Sequence, residues 1–229
     1  MQSFSWDPII YKKHIEDTAY PLIRKYEEVE LDYLLSIPDI AERIVVDMGA
    51  GYGRVVPSIA KLARKIIAIE IDVKMLKVLH DKSKIYANVQ VVQGDANQLD
   101  NLLRGMEISN PLVISLQNSL GPWIGGWEAG VKQMRKFAEP KKGDILLSIW
   151  RQEASKELGI DFYNHIAELV GEPDLKNTKI ESGLFISKTG YKSQWFTKDQ
   201  RQEIREMLGG SKIQEVEYPA FWILHVSYK

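Results

Sequence analysis

The chain has 229 residues, of which 45% are apolar and 27% charged, and its formal net charge is -1. This length is ample for one large α/β domain, and the near-zero charge gives no general attraction to DNA or to anionic membranes. The absence of cysteine excludes disulfides, thiolate nucleophiles and cysteine-ligated zinc. Acidic residues occur near the N-terminus before any apolar run long enough for a signal peptide. No stretch reaches the roughly 20 apolar residues that span a bilayer. We therefore expect a cytoplasmic protein.

The predicted elements begin with a helical cap over residues 1–42, whose short helices are interrupted at Pro8, Pro21 and Pro38. From residue 43 to 150, short apolar runs alternate with helical patterns, which is typical of a parallel sheet covered on both faces. The predicted strands of this core are Arg43–Asp47, Ile66–Ile71, Val89–Gln93, Leu112–Leu116 and Asp144–Trp150. The predicted helices of the core are Pro57–Arg64, Val73–Tyr86, Asn97–Leu103 and Trp127–Phe137.

The remaining chain interrupts this alternation and then resumes it. Residues 151–196 predict an insertion on the substrate side, with a helix over Asp161–Val170 and a hairpin at 188–190. Residues 197–229 predict a helix and a strand pair, namely Lys198–Leu208 with Thr197 as its cap, Ile213–Glu217 and Phe221–Tyr228. The chain is thus predicted to be one doubly wound α/β domain over residues 1–229.

The first predicted strand runs into a glycine-rich turn, VVDMGAGYGR, at positions 45–54. Three alternating glycines favour a ligand loop over an ordinary tight turn, since glycine adopts positive φ and lets a ligand approach the backbone. A dinucleotide fingerprint would need glycine where Arg54 stands, and Asp47 would repel a pyrophosphate. Asp47 instead favours S-adenosylmethionine, which has no phosphate and carries a sulfonium and an ammonium. Capping of the turn is a compatible role for Asp47.

Two further acidic residues end the next two predicted strands. Glu70 can accept hydrogen bonds from the vicinal hydroxyls of a ribose, because Asp72 already supplies the N-cap of the next helix. Asp95 can accept from an adenine amino group while the N–H of Ala96 donates to the ring, although helix capping is an equal alternative for Asp95. Because carboxyl ends of parallel strands meet at one end of a sheet, we expect the three carboxylates to converge on one crevice.

The segments VVDMGAGYGR, IIAIEID, VQVVQGDANQL and PLVISLQNSLG resemble, in order, successive motifs of class I S-adenosylmethionine-dependent methyltransferases. The match runs from about Arg43 to Trp150. It implies a Rossmann-like, seven-stranded, mostly parallel sheet with an antiparallel last strand. It also implies a set of cofactor-binding positions: Asp47, Gly49, Ala50, Gly51, Gly53, Glu70, Ile71, Asp95, Ala96, Gln117 and Asn118.

The acceptor side is predicted from the loop after the fourth strand. Its N-S-L-G run resembles the N-S-F segment of small-molecule methyltransferases, including glycine and sarcosine N-methyltransferases, and lacks the (N/D)-P-P-(Y/F) tetrapeptide of enzymes that methylate nucleobase or glutamine-amide nitrogens. Arg151 matches an arginine that holds the acceptor's carboxylate in those small-molecule enzymes, with a surface salt bridge as the alternative. Trp123 and Tyr191 are further candidates for contact with the acceptor. Asn118, Tyr20 or Tyr191 are candidates for positioning the acceptor's nucleophile.

The main hypothesis is methyl transfer to an N or O atom of a small molecule. Methylation of a protein or RNA partner and a non-catalytic binding module on the same fold are the alternatives. Asp47 and Arg54 disfavour an NAD-dependent oxidoreductase, and Gln117 and Asn118 stand where an aminopropyltransferase usually has an acidic residue. The four histidines show no metal-ligand spacing, and the oligomeric state is left open.

Overall fold

A computed structural model describes residues 5–16 and 20–229, and its main element is a seven-stranded sheet. In chain order the strands are β1 (Ile44–Met48), β2 (Lys65–Glu70), β3 (Val89–Gln93), β4 (Pro111–Ser115), β5 (Asp144–Trp150), β6 (Leu184–Ile186), β7 (Lys192–Gln194), β8 (Lys212–Glu217) and β9 (Phe221–Ser227). The large sheet has the order β3-β2-β1-β4-β5-β9-β8, and β6 pairs with β7 separately. Strands β1 to β5 are parallel, while β9 is antiparallel to both of its neighbours.

Helices cover both faces of this sheet. In the described residues the α-helices are α1 (Pro8–Tyr11), α2 (Pro21–Leu35), α3 (Val56–Ile59), α4 (Val73–Ser83), α5 (Leu99–Leu102), α6 (Trp127–Ala138), α7 (Gln152–Ala154), α8 (Ile160–His165), α9 (Ala167–Val170) and α10 (Lys198–Leu208). Strands β1, β4 and β5 are buried along their whole length, as expected of a sheet packed on both faces. Alternate residues of each strand therefore belong to two separate hydrophobic clusters, one on each face.

The N-terminal cap and the insertion both lie near the end of the sheet where β1 to β5 terminate, which we call the carboxyl end. Pro8 and Pro21 begin helices α1 and α2 instead of interrupting them, because proline fits the first turn, where its missing N–H costs nothing. A π-helix, Lys12–Glu16, follows α1. The parts of the predicted cap at residues 1–4 and 17–19 lie outside the described residues.

Two predicted helices differ from the structure for identifiable reasons. The helix predicted over Pro57–Arg64 is only the single turn α3, because the side-chain amide of Asn88 donates to the carbonyls of Ala60 and Ala63 at 2.9 Å and so binds the chain beyond the helix. The helix predicted over Asp161–Val170 is divided into α8 and α9 at Ile166, whose ψ of 17° is not helical. The predicted hairpin is confirmed as β6 and β7.

Candidate active site

A cavity of about 610 Å³ lies at the carboxyl end of the sheet, the usual ligand position in an open α/β fold. Most of the residues predicted to form the site line it: Asp47, Gly49, Ala50, Gly51, Glu70, Ile71, Asp95, Ala96, Gln117, Asn118, Trp123 and Tyr191. The three carboxylates predicted to converge therefore share one cavity. Gly53, Tyr20 and Arg151 are not among the lining residues.

Asp47 is a buried acid near the end of β1. Its side chain is 4% exposed, and no described residue donates a hydrogen bond to its carboxylate. Burial raises the pKa of Asp47 to about 7, with a further increase from the carboxylates of Glu70 and Glu30 and a decrease from Arg54. A buried carboxylate is costly where no group donates a hydrogen bond to it, and no described residue does so here, so the arrangement favours a cationic ligand at this point.

Glu70 holds the glycine turn to the start of α4. Its Oε2 accepts from the N–H of Gly51 at 2.7 Å, and its Oε1 accepts from the N–H groups of Ile71 and Asp72 at 2.8 and 2.7 Å. Asp72 caps α4 as predicted, but the inference that Glu70 is left free for a ribose needs correction. A carboxylate offers about four acceptor positions, so Glu70 keeps part of its capacity for a ligand hydroxyl while it shapes the turn. Burial raises the pKa of Glu70, although these hydrogen bonds oppose the increase.

The region after β3 joins Asp95 to Trp123. Asp95 accepts from the N–H of Asn97 at 2.9 Å, so it caps the short 3-10 helix that follows β3. Asn97 in turn accepts from the indole N–H of Trp123 at 2.8 Å and donates to the carbonyl of Ile124. Trp123 therefore lies beside the residues predicted to bind adenine, on the β3 side of the cavity.

The loop after β4 has a strained backbone. Gln117 and Asn118 have φ values of 52° and 58°, a left-handed conformation that is uncommon in residues other than glycine. The Asn118 amide accepts from the N–H of Trp150 at 3.1 Å and donates to the carbonyl of Gln194 at 3.1 Å. Because both ends of the Asn118 amide are bonded to the protein, the structure gives it a clear role in holding the loop.

An ion-pair cluster that the sequence analysis did not identify lies beneath this loop. Helix α2 brings Glu30, which is 1% exposed, into contact with the guanidinium of Arg54 and the hydroxyl of Ser148. Glu30 also accepts from the N–H of Gln117 at 2.6 Å, and Glu27 accepts from the Gln117 side-chain amide at 2.7 Å. Burial opposes the charge on Arg54, but the two carboxylates raise its pKa above the ordinary value. The cluster joins the cap, the glycine turn and the acceptor loop.

Residues 5–16 form a segment across the cavity, which we call the strap. At one end the N–H of Trp6 donates to Asp72 at 3.1 Å, and at the other the ring of His14 lies 3.0 Å from Glu168 in α9. Trp6 packs edge-on against Tyr191 of the insertion, with the ring centroids 5.3 Å apart. Strap and insertion therefore meet over the cavity and form its roof.

The three predicted residues outside the cavity have structural partners. Arg151 pairs with Glu217 at 2.6 Å and donates to the carbonyl of Tyr218, so the structure favours the salt-bridge alternative over a carboxylate-binding role. Tyr20 packs against the rings of Phe162 and His165. Gly53 has a φ of 77°, and a Cβ there would lie 2.6 Å from a methyl carbon of Leu79, so this glycine lets the turn pack on α4.

Two solved structures match this architecture over almost the whole chain. Magnesium protoporphyrin IX methyltransferase from Synechocystis PCC 6803, with bound SAH, covers 96% of this chain over 92% of its own, with a TM-score of 0.61 and 16% sequence identity. The chain has a class I methyltransferase fold. The PH0226 protein from Pyrococcus horikoshii OT3 covers 92% of this chain over 93% of its own, with a TM-score of 0.63 and 14% identity. The predicted fold class is thus confirmed, including the antiparallel last strand.

The sequence comparisons give a shorter match. The family model described as ribosomal RNA adenine dimethylase matches residues 2–114, a stretch just short of half the chain. A probable ribosomal RNA small subunit methyltransferase A from Methanosarcina barkeri is 32% identical over 71 residues, which are 31% of this chain. The chain spans about a quarter of the length of this relative. The family match ends at the end of β4, so the acceptor loop and the insertion lie outside it.

The described part of the chain has neither a membrane-spanning helix nor a candidate metal site. None of the helices in residues 5–16 and 20–229 is both long enough and apolar enough to cross a membrane. Within the same residues, no group of three or more histidine, aspartate or glutamate side chains could hold a metal ion.

Proposed function

We propose that this chain binds S-adenosylmethionine and transfers its methyl group to an acceptor. The observation that carries the proposal is the buried carboxylate of Asp47 on the wall of the cavity, to which no described residue donates a hydrogen bond. A dinucleotide would bring a pyrophosphate against this acid, whereas S-adenosylmethionine brings positive charge and no phosphate. The position of the cavity at the carboxyl end of a parallel sheet supports the proposal, since open α/β folds bind nucleosides there.

The lining residues fit the parts of S-adenosylmethionine from one side of the cavity to the other. Asp47 and the backbone of the glycine turn suit the charged methionine portion, and the remaining acceptor capacity of Glu70 suits a ribose hydroxyl. Asp95, Ala96 and Trp123 suit the adenine, since Trp123 is fixed by Asn97 beside these residues. Trp123 is thus reassigned from the acceptor to the cofactor.

The chemistry demands orientation and exclusion of water more than a strong base. When bound, S-adenosylmethionine would supply an electrophilic methyl carbon for attack by the acceptor's lone pair, with the electrons of the broken carbon–sulfur bond left on sulfur and the acceptor's proton released to solvent when the product leaves. The loop at Gln117 and Asn118 forms the wall between the turn and the insertion and is held from α2, β5 and β7. The strap and Tyr191 cover the site and limit access of solvent.

Two acceptor classes are each supported by an observation. The family match and the sequence relatives favour an RNA acceptor, and they support it better than the small-molecule acceptor that the sequence analysis preferred. The roof over the cavity favours a small molecule, because a polymer would have to displace the strap to reach the methyl carbon. Cofactor binding is common to both.

Calorimetry against S-adenosylmethionine, S-adenosylhomocysteine and NAD tests the cofactor. We expect micromolar binding of the first two and none of NAD. The reverse preference, or binding of none of the three, would contradict the proposal. Transfer of a labelled methyl group is then measured in parallel on ribosomal RNA and on a metabolite mixture, and label in one fraction alone assigns the acceptor class.

A further inference from the structure

The first part of the strap, residues 5–13, is weakly anchored, and we call it the arm. None of its residues is buried, and Ile9 in α1 is 81% exposed. Helix α1 has only four residues, far fewer than the roughly 12 to 15 that an isolated helix needs to be stable. A segment with few buried side chains opens at a low cost in free energy. The arm is therefore the part of the roof that is able to open.

The arm is joined to a buried anchor at the other end of the strap. His14 and Ile15 are 8% and 7% exposed, and the ring of His14 lies 3.0 Å from Glu168 in α9. Ile15 belongs to the hydrophobic cluster on one face of the sheet. Opening of the arm would leave these two residues in place, so the chain would turn about them.

In the closed position the arm contacts the cofactor side of the cavity. The N–H of Trp6 donates to Asp72 at 3.1 Å, and Asp72 in turn donates its own N–H to Glu70. The hydroxyl of Tyr11 donates to the side-chain carbonyl of Gln117 at 3.1 Å, one of the cofactor-binding positions that the sequence resemblance implies. Trp6 and Tyr11 both line the cavity. A cofactor beneath them would bind the closed form more tightly than the open one, and so would shift the arm towards closure.

On the basis of the proposed cofactor, we propose that the arm is a lid over the S-adenosylmethionine site. It opens about its buried anchor to admit and release the cofactor, and it closes when Tyr11 bonds to Gln117. Closure also brings Trp6 against Tyr191 of the insertion, with ring centroids 5.3 Å apart. The bound cofactor thus favours the form in which the roof over the acceptor side is complete.

Hydrogen exchange in the full-length protein, read by mass spectrometry, measures opening of the arm. With saturating S-adenosylhomocysteine we expect the backbone amides of residues 5–13 to exchange at least about tenfold more slowly. Tyr11→Phe keeps the ring and loses the hydrogen bond to Gln117, which is equivalent to about a fivefold change. In the ligand-free protein this variant should speed exchange in the arm about fivefold and change exchange in α10 by less than about twofold.

Release of S-adenosylhomocysteine, followed by stopped flow, tests whether the arm controls access to the site. Tyr11→Phe should speed dissociation about fivefold, because release requires the open form. Tyr33→Phe is the matched control, since it removes a phenolic hydroxyl of α2 that reaches the ring of His225 at 3.3 Å and does not line the cavity. It should change neither the exchange of the arm nor the rate of release.

The outcomes separate the lid from the proposed function. If bound S-adenosylhomocysteine left exchange in the arm unchanged, the roof would be fixed and the inference overturned, as it would be by a rate of release that Tyr11→Phe does not alter. Faster release without faster exchange in the ligand-free arm would mean that the Tyr11 hydroxyl holds the ligand directly, which would also overturn the lid. Failure of S-adenosylmethionine and S-adenosylhomocysteine to bind in calorimetry would instead refute the proposed function. The ligand-free comparison of Tyr11→Phe with Tyr33→Phe would still report whether the Tyr11 bond holds the arm closed.

Discussion

Buried carboxylates at the two ends of the sheet are in opposite electrostatic situations. Asp47 ends β1 at the carboxyl end, has no hydrogen-bond donor among the described residues, and has its pKa raised to about 7 by burial. Asp144 begins β5 at the opposite, amino end, where Arg43 lies 2.6 Å away and the ring of His225 lies 3.4 Å away. Burial would raise the pKa of Asp144 too, but the hydrogen bond from His225 and the charge of Arg43 lower it overall.

The two acids are equally buried, at 4% and 3% exposed, so burial alone does not distinguish a ligand site from a structural pair. The difference lies in whether the protein supplies the counter-charge. At the amino end it does, and the pair fastens the starts of β1 and β5. At the carboxyl end no described residue donates a hydrogen bond to Asp47, and the charge of Arg54 does not overcome the effect of burial, so further counter-charge is expected from a ligand. Mutations at the two ends should therefore affect different measurements.

The largest effect is expected at the amino end. Asp144→Asn leaves the Arg43 guanidinium, which is buried at 1% exposed, with Asp39 as its remaining acidic partner. Removal of one partner from a buried pair costs about 3 to 5 kcal/mol, and we expect the free energy of unfolding in denaturant to fall by that amount. Affinity for S-adenosylmethionine, measured where the variant is folded, should not change. A variant with native stability would contradict the structural role of the pair.

At the carboxyl end the same substitution should act on binding. Asp47→Asn removes the acid that faces the ligand's positive charge, and we expect affinity for S-adenosylmethionine to fall by about 100-fold, equivalent to about 3 kcal/mol. Because the pKa of Asp47 is raised on folding, its ionised form destabilises the native state as pH rises from about 4 to 7.

The free energy of unfolding of the ligand-free Asp47→Asn protein at pH 8 should accordingly rise, not fall. Denaturant titration of this variant beside Asp144→Asn provides the control. If both variants lost stability to the same extent, the contrast between the two ends would be refuted.

The raised pKa of Asp47 also predicts a pH dependence of binding. A cationic ligand prefers the carboxylate, so affinity should increase with pH up to about 7 and level off above it. Between pH 8 and pH 6 we expect a decrease of about tenfold, since affinity falls up to tenfold for each pH unit below the pKa. Calorimetry at pH 7 in buffers of different ionisation enthalpy should detect proton release on binding. The affinity of Asp47→Asn should be flat with pH over this range.

The elements and residues that could be predicted from the sequence are those whose environment depends on their own strand or helix. Helix Lys198–Leu208 was predicted with its bounds because Thr197 caps it locally, and Asp47 was identified because it adjoins the glycine turn. The Glu30 cluster was missed, because it depends on contacts between distant positions, such as Glu30 with Gln117. Such pairings leave no periodic signal in one sequence. Arg151 shows the converse, since its family match indicated a role that its ion pair with Glu217 does not support.

Glu30 combines features of Asp47 and Asp144. It lies at the carboxyl end of the sheet, as Asp47 does, but it has an ion-pair partner and hydrogen-bond donors, as Asp144 does. Its carboxylate raises the pKa of Asp47, while Arg54, its partner, lowers it. Glu30→Gln removes the first influence, so the pH midpoint of S-adenosylmethionine binding should move down by about half a unit.

Glu27→Gln is the matched control, because Glu27 also lies near Arg54, at 3.9 Å, but is not among the groups that shift Asp47. The midpoint is read from calorimetric affinities between pH 5 and 8. An unchanged midpoint of binding in Glu30→Gln would mean that the proton taken up near pH 7 is not on Asp47. The group that titrates near pH 7 would then be another acid on the cavity wall. A downward shift in Glu30→Gln alone would place the proton on Asp47 and identify Glu30 as the residue that tunes it through space.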